Sequence, residues 1–371
     1  TGLMDEPAYR VWMQESLKPE WEFDRRPGRW IAEEEWPSKS IRPQQLFLST
    51  EGLIESEVGE ETELRHRSPQ TTGRAGGLWC PHGDGMELPP DQNADDAQSL
   101  CFESEPLENR IEILGAPSVT LELSIDRPAG FIAVRLCDVD PDGASSRVTF
   151  GLLNLTHRHS HEFPDPVRPG ERMTVNVQLN DIAHAFPSGH RIRLAISTAY
   201  WPMVWPSPEN VKLTVFTGAS FLEMPNREPR KEDEDLRAFD PPESYEPIPT
   251  TLIEPGSPIL IEETKDSATG ECVFIVEHNR GRYRLEDTGL ELASRTRQEF
   301  RIQDNDPLTA SIFVEGRTSL ARDDWTTRID TRTKMGSTKE HFLIDAELEA
   351  FEGTERVFGR NWEEEIERKG V

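Results

Sequence analysis

The sequence predicts an all-β protein, a jelly-roll β-sandwich followed by a second antiparallel β-rich block. Three observations carry that prediction. Short stretches alternate apolar and polar residues with period two, as half-buried strands do. Prolines number 29 in 371 residues, above the usual ~5%, and recur often enough to break long helices. No alternating β-α-β pattern and no glycine-rich phosphate loop occur, which sets the doubly wound folds aside.

Residues 1–50 hold a strand-like piece, Tyr9 to Met13, and a Trp- and Glu-rich segment with Trp21, Trp30 and Trp36. Residues 51–226 carry the sandwich pattern. Val119, Leu121, Leu123 and Ile125 alternate with polar neighbours, and Ile132, Val134 and Leu136 repeat the alternation. Met173, Val175, Val177 and Leu179 do so again, then Ile192, Leu194 and Ile196. Pro141-Asp142-Gly143 supplies a turn between strands, because these residue types suit successive turn positions. Residues 227–254 read as a linker: Arg230 to Asp235 is a charge run, and Pro241, Pro242, Pro247 and Pro249 crowd the stretch after it. Residues 255–371 form the second block. Val273 and Ile275 lead into Asn279-Arg280-Gly281, and Tyr283 and Leu285 return, which predicts a hairpin. Ile302, Ile312, Val314, the segment Trp325–Met335 and the alternating Phe342, Ile344, Ala346 and Leu348 predict a meander, and Trp362 to Arg368 a short acidic helix.

Composition excludes whole classes of function. Lys and Arg total 41 and Asp and Glu 69, a formal charge of −28. Such a chain is repelled by phosphate backbones and anionic lipid, so neither nucleic acid nor a membrane is an expected partner. No run of 18 apolar residues exists to span a bilayer. The start, with Asp5 and Glu6, lacks a basic-then-apolar signal pattern, and Thr1 in place of Met suggests a processed or truncated start. Cys80, Cys101, Cys137 and Cys272 are far apart. They read as free thiols, and a reducing cytoplasm is the expected compartment. At about 150 residues per domain, the length suits two to three domains.

Catalytic signals are few. A nucleophile elbow needs G-x-S-x-G on a strained turn, and neither Gly336-Ser337 nor Gly218-Ala219-Ser220 fits it. His157, His159 and His161 alternate, and on a strand they would share one face and suit zinc or copper. The plainer reading is an exposed polar strand end beside the Pro164–Pro169 loop. Asp138, Asp140, Asp142 and Gly143 resemble half of a calcium loop, but its twelfth position is Thr149, and a tight turn accounts for the same residues. Carboxylate runs such as Asp323-Asp324, Glu33 to Glu35 and Glu363 to Glu365 read as solvated faces. No cofactor or metal is therefore expected. The aromatic run Tyr200-Trp201-Pro202-Met203-Val204-Trp205-Pro206 leaves the strand Ile192–Ile196. It suits the lining of an apolar pocket, stacking on a sugar, or anchoring of core or interface.

Several stretches together resemble a known family. They are Asp138 to Gly143, Gly151-Leu152-Leu153, Arg158 and Ser160, Pro169-Gly170-Glu171, and His184 to Leu194 with its Pro-Ser-Gly-His-Arg-Ile-Arg core. Asp91-Gln92, Asp95-Asp96 and Leu100 to Leu107 add to them. The combination, over roughly residues 78–215, resembles the C-terminal jelly-roll (galactose-binding-like) domain of cocaine-esterase-like (CocE/NonD) and X-Pro dipeptidyl-peptidase serine hydrolases. Tyr9 to Met13 and Trp30 to Pro37 look like the segment leaving that family's α/β-hydrolase domain. The resemblance implies that the catalytic triad lies N-terminal to this chain, in the same or a separate polypeptide, and acts on a small ester or peptide substrate. It places Trp201 where the family has an aromatic near the acyl side of the active site, so Tyr200, Trp201 and Trp205 are the expected pocket-lining residues, with no catalytic residue here. The rival expectation is a free-standing carbohydrate- or ligand-binding jelly roll using Trp201 and Trp205. A homo-oligomer built on the edge of a Phe342–Leu348 strand is a third.

Overall fold

The computed structural model describes residues 4, 6–56, 59–81 and 85–370. Two sheets form the sandwich. The larger holds β1 (Tyr9–Glu15), β2 (Gly28–Glu33), β3 (Ile41–Ser49), β4 (Gly52–Ile54), β5 (Glu63–His66), β7 (Ile111–Gly115), β8 (Ser118–Ile125), β11 (Met173–Gln178), β12 (Ile182–Phe186) and β14 (Leu213–Arg227). The smaller runs β10 (Ser145–Asn154), β9 (Phe131–Val139), β13 (Arg191–Ser197), β6 (Leu100–Glu103). The alternating residues of the sequence meet between them: Leu121, Leu123, Ile132, Val134, Leu136, Ile192, Leu194 and Ile196 are buried in one core. β9 is buried at every position. Its second face is covered by the loop carrying a short helix, α1 (Asn93–Asp96), which is why an arginine, Arg135, sits fully buried there.

Residues 9–49 are built into the sandwich and do not stand apart from it. β1 pairs in parallel with β12 through Gln14 and His184 and antiparallel with β2, and β3 pairs with β14 from Phe221 to Arg227. Arg227 then closes the N-terminal strands onto the end of the sandwich. Its Nε donates to Glu33 at 2.5 Å, and its two terminal nitrogens donate to Asp233 at 2.8 Å each. All three side chains are buried. Residues 236–249 run on as an extended, largely exposed stretch.

The remainder is a third, eight-stranded antiparallel sheet. It contains β15 (Thr250–Glu254), β16 (Ser257–Lys265), β17 (Glu271–Leu285), β18 (Leu290–Gln303), β19 (Asp306–Arg322), β20 (Trp325–Ser337), β21 (His341–Glu352) and β22 (Glu355–Glu367). Three expectations are corrected here. Asn279-Arg280-Gly281 is a bulge in one continuous strand, not a hairpin turn. The register shifts between Asn279 and Arg282, and β17 changes partner from β16 to β15 at that point. Gly281 adopts a φ of +71° with the Glu254 carbonyl and the Gly256 amide against it, so no side chain fits. Trp362 to Arg368 is not a helix: residues up to Glu367 belong to β22, and cross-strand pairing with β21 (Ala346 opposite Trp362) overrides the helical preference of its glutamates. That same pairing makes β21 an interior strand, so the Phe342–Leu348 edge does not exist and β22 is the edge.

The sheet's two faces differ. One carries a lattice of ion pairs, Arg295–Glu277, Arg297–Glu299, Arg317–Asp330, Arg332–Glu315 and Arg332–Glu347, that neutralises itself. The other is mostly apolar, and one end of it meets the sandwich. All four cysteines are free; Cys137 and Cys272 are buried, Cys80 and Cys101 exposed. No helix among the described residues is long and apolar enough to cross a membrane.

Replacing Arg227 by Met leaves the buried Asp233 without its cation and Glu33 with Arg230 alone. The expected loss is about 3–5 kcal/mol in urea unfolding, with melting of β1 and β2 seen as early amide exchange. An unchanged midpoint would show that the N-terminal strands do not depend on this cluster.

Candidate functional site

The predicted aromatic run forms a tight turn at the junction of sandwich and third sheet. β13 ends at Ser197, and the chain folds back so that the Val204 amide donates to the Tyr200 carbonyl at 2.8 Å. The Trp201–Pro202 peptide is cis. The segment Thr71–Gly77 grips this turn from the sandwich side. The Trp201 amide donates to the Thr72 carbonyl at 2.7 Å. Gly73, at a φ of +110°, lies so close to the Tyr200–Trp201 backbone that any Cβ would fall 2.6 Å from it, which is the kind of contact only glycine permits.

Behind the grip lies a buried polar clamp. Asp95 accepts from the Gly73 and Ala75 amides at 3.0 Å each. Burial pushes the Asp95 carboxyl above the usual carboxylate range, against the pull of Arg135 and these amides. Gln92 donates to the Ala75 and Pro90 carbonyls and accepts from Arg135 at 3.0 Å. Asp96 pairs with Arg135 at 3.0 Å and Arg193 at 2.8 Å and accepts from Ser145 at 2.7 Å. Arg147 stacks over Phe150 at 4.4 Å and donates to the Tyr200 hydroxyl at 2.6 Å. Chemically this assembly is positional: each acid is occupied by a cation or by backbone amides.

The three expected pocket residues are thus brought together, but inside the chain. Tyr200 is 1% and Trp201 2% exposed. Trp201 packs with Ile302 and Ala310 of the third sheet, its ring edge-on to Phe300 at 6.2 Å. Trp205 sits edge-on to Trp201 at 5.6 Å and to Phe342 at 5.9 Å, and its indole donates to Ser337 at 3.2 Å. Further bonds fasten the joint: Thr71 to Asp304 at 2.5 Å, the Gln70 amide to the Asp304 carbonyl, and an Arg74–Glu263 ion pair.

Beside the turn opens a cleft of about 780 Å³. Leu78 and Met203 of the sandwich face Ile259, Phe274, Val276 and Phe300 of the sheet, with His278, Thr296 and Gln298 beyond them. That size suits a small ligand or an inserted side-chain cluster. Met203 lies in the aromatic run, but sequence reading missed the strand residues of the cleft, since Phe274, Val276 and Phe300 are ordinary apolar strand positions. The adjacent Leu78 and Trp79, with Trp79 73% exposed, were the available signal.

The residues considered as metal ligands are placed as follows. Leu155–His157 is a 3₁₀ turn rather than a strand, so the alternation of histidines does not place three rings on one face. His157 and His161 meet with Nδ1 atoms 3.3 Å apart, while His159 is exposed elsewhere on the loop. Asp140 and Asp142 belong to the expected turn: Asp140 accepts from the Ala144 amide, and Asp142 pairs with Lys18 at 2.7 Å. Asp138 points the other way, into the protein. It bridges His184 (3.0 Å) and His190 (2.8 Å), tying β9 of one sheet to β12 of the other. Among the described residues no group of three such side chains suits a metal ion.

The sequence profile of the X-Pro dipeptidyl-peptidase C-terminal non-catalytic domain matches residues 1–232. The chain belongs to this family. A Mycobacterium bovis protein that carries the name of a serine esterase is 28% identical to this chain over 205 residues, 46% of this chain and 31% of its own. The cocaine esterase of a Rhodococcus species is 23% identical over 188 residues, 47% of this chain and 32% of its own. Among solved structures, an aminopeptidase from a marine-sediment Thaumarchaeota archaeon matches with a TM-score of 0.47 at 17% identity, covering 56% of this chain and 40% of that one. The chain spans about a third of the length of the curated relatives it matches. The matched family region ends at residue 232, so the third sheet lies beyond it.

Two measurements test the junction. Trp201→Ala removes the ring that joins sandwich and sheet, with an expected loss of about 3–5 kcal/mol in urea unfolding; a loss below about 1 kcal/mol would show that the sheet does not lean on it. Asp138 tests the tie between sheets. Burial alone would raise its carboxyl, but the His184, Ser16 and His190 contacts outweigh burial and hold it below the usual range. A carboxyl depressed on folding stabilises above its unfolded value of about 4 and loses that contribution as pH falls through the folded value. Melting temperature should therefore fall with pH below about 4 in the native chain, and the fall should be shallower in Asp138→Asn. Parallel profiles would assign acid lability elsewhere.

Proposed function

We propose that this chain is the rear, non-catalytic part of a cocaine-esterase-like serine hydrolase, packing against an α/β-hydrolase domain supplied by the same or a separate polypeptide. The membership of residues 1–232 in a non-catalytic family carries the reading, and the lack of a G-x-S-x-G elbow in the sequence supports it. In the whole enzyme a serine, assisted by a histidine, would attack the carbonyl of a small ester or X-Pro amide. The contribution of this chain to the acyl side is a wall. Tyr200, Trp201 and Trp205 act from behind as positioning residues, and the turn they hold presents Pro202 and Met203 at the cleft. The sugar-binding alternative needs exposed rings on both tryptophans; Trp201 is buried, and the half-buried Trp205 has its edges against Trp201 and Phe342.

The purified chain, given p-nitrophenyl esters, should show no turnover above buffer. Clear turnover abolished by a serine-directed inhibitor would overturn the reading.

A further inference from the structure

We propose that the free part of the third sheet's apolar face is a seat for the catalytic domain, so that residues 250–367 embrace that domain beyond the reach of the sandwich. This rests on the reading above that such a domain docks on this chain.

The face is defined by register. Phe300 and Ile312 are paired and lie against the sandwich tryptophans. Residues two apart along a strand, and residues directly opposite across it, share a face. From Phe300 that face runs along β18 through Gln298, Thr296 and Ser294, all lining the cleft, to Leu292. Leu292 stands opposite Tyr283 on one side and Leu320 on the other. The same parity carries Ile329, Leu348 and Trp362 on β20, β21 and β22. Beyond the uncharged strip of Gln298, Thr296 and Ser294 at the cleft, the same face thus gathers Tyr283, Leu292, Leu320, Ile329, Leu348 and Trp362.

Only one end of it is used within the chain. β18 has 14 residues, roughly 45 Å at the usual rise, and its sandwich contacts lie at Phe300 and Ile302. Tyr283, Leu292, Leu320, Ile329, Leu348 and Trp362 belong to none of the buried apolar clusters among the described residues. Ile329 is 43% exposed. The opposite face needs no partner, since its arginines and acids pair with one another.

Two considerations select the occupant. About two thirds of each curated relative's length lies outside the region this chain matches, enough for a catalytic domain. The patch is also continuous with the cleft that the proposed function sets against that domain. A second copy of this chain is a poorer guest, because two bodies of formal charge −28 repel.

Hydroxyl-radical footprinting tests this on the isolated chain and on the complete enzyme that unites it with its catalytic domain. Tyr283 and Trp362 report on the patch, Trp79 on the cleft mouth, and Tyr245, 90% exposed in the linker, serves as reference. Oxidation of Tyr283, Trp362 and Trp79 should fall several-fold in the complete enzyme while Tyr245 is unchanged. Leu348→Arg, at a half-exposed site, should restore the reactivity of Tyr283. Protection of Trp79 with Tyr283 and Trp362 as reactive as before would overturn this inference and leave the docking reading standing. No protection at any of the three would overturn both. Protection of Tyr283 and Trp362 in the isolated chain that grows with its concentration would assign the patch to a second copy and overturn the inference.

Discussion

Trp201 and Trp205 occupy the seam between two bodies of β-structure, and the placement of everything beyond residue 250 depends on them. Their rings enter the third sheet among Phe300, Ile302 and Phe342. A ring of this size contributes there only if its backbone is fixed. The fixing comes from the sandwich, through the Thr72 carbonyl and the close approach of Gly73. Gly73 is held in turn by Asp95. A hydrophobic seam is thus set by a polar clamp several residues behind it, and the cleft inherits its shape from that clamp.

The buried ions are arranged for position rather than reaction. Asp96 with Arg135 and Arg193 locks the α1 loop to the smaller sheet. Arg227 with Glu33 and Asp233 locks the N-terminal strands to the end of β14. Asp138 with His184 and His190 ties one sheet to the other. Paired buried charges add little net stability over well-packed apolar groups, but they penalise every arrangement that separates them.

The sandwich was legible because its strands bury one face. Val119 to Ile125 and Met173 to Leu179 alternate in sequence because they alternate in space. The third sheet was legible as strands but not in its connections. Asn279-Arg280-Gly281 has the composition of a turn, and a bulge needs the same residues. Trp362 to Glu367 is acidic and helix-prone, and only β21 beside it makes it a strand. The clamp was hidden for a different reason: Asp95 and Asp96 are two of 69 acids, and their burial depends on Arg135, some forty residues away. The aromatic run was visible as chemistry, yet its burial depends on residues a hundred positions later, which no local pattern reports.

The end of the chain has a mechanical meaning. After β22 the backbone returns to the sandwich, where the Gly370 carbonyl accepts from Asn154 at 2.7 Å and from Thr156. Arg368 donates to the Pro206 carbonyl at 2.7 Å on the way. The third sheet is therefore moored at both ends, by the tryptophan seam near its start and by this tail at its finish. The exposed stretch between the two bodies is a covalent tie but not a structural one. A protease that cuts there severs the polypeptide while the two pieces stay assembled, and the nicked molecule keeps the outline of the intact one.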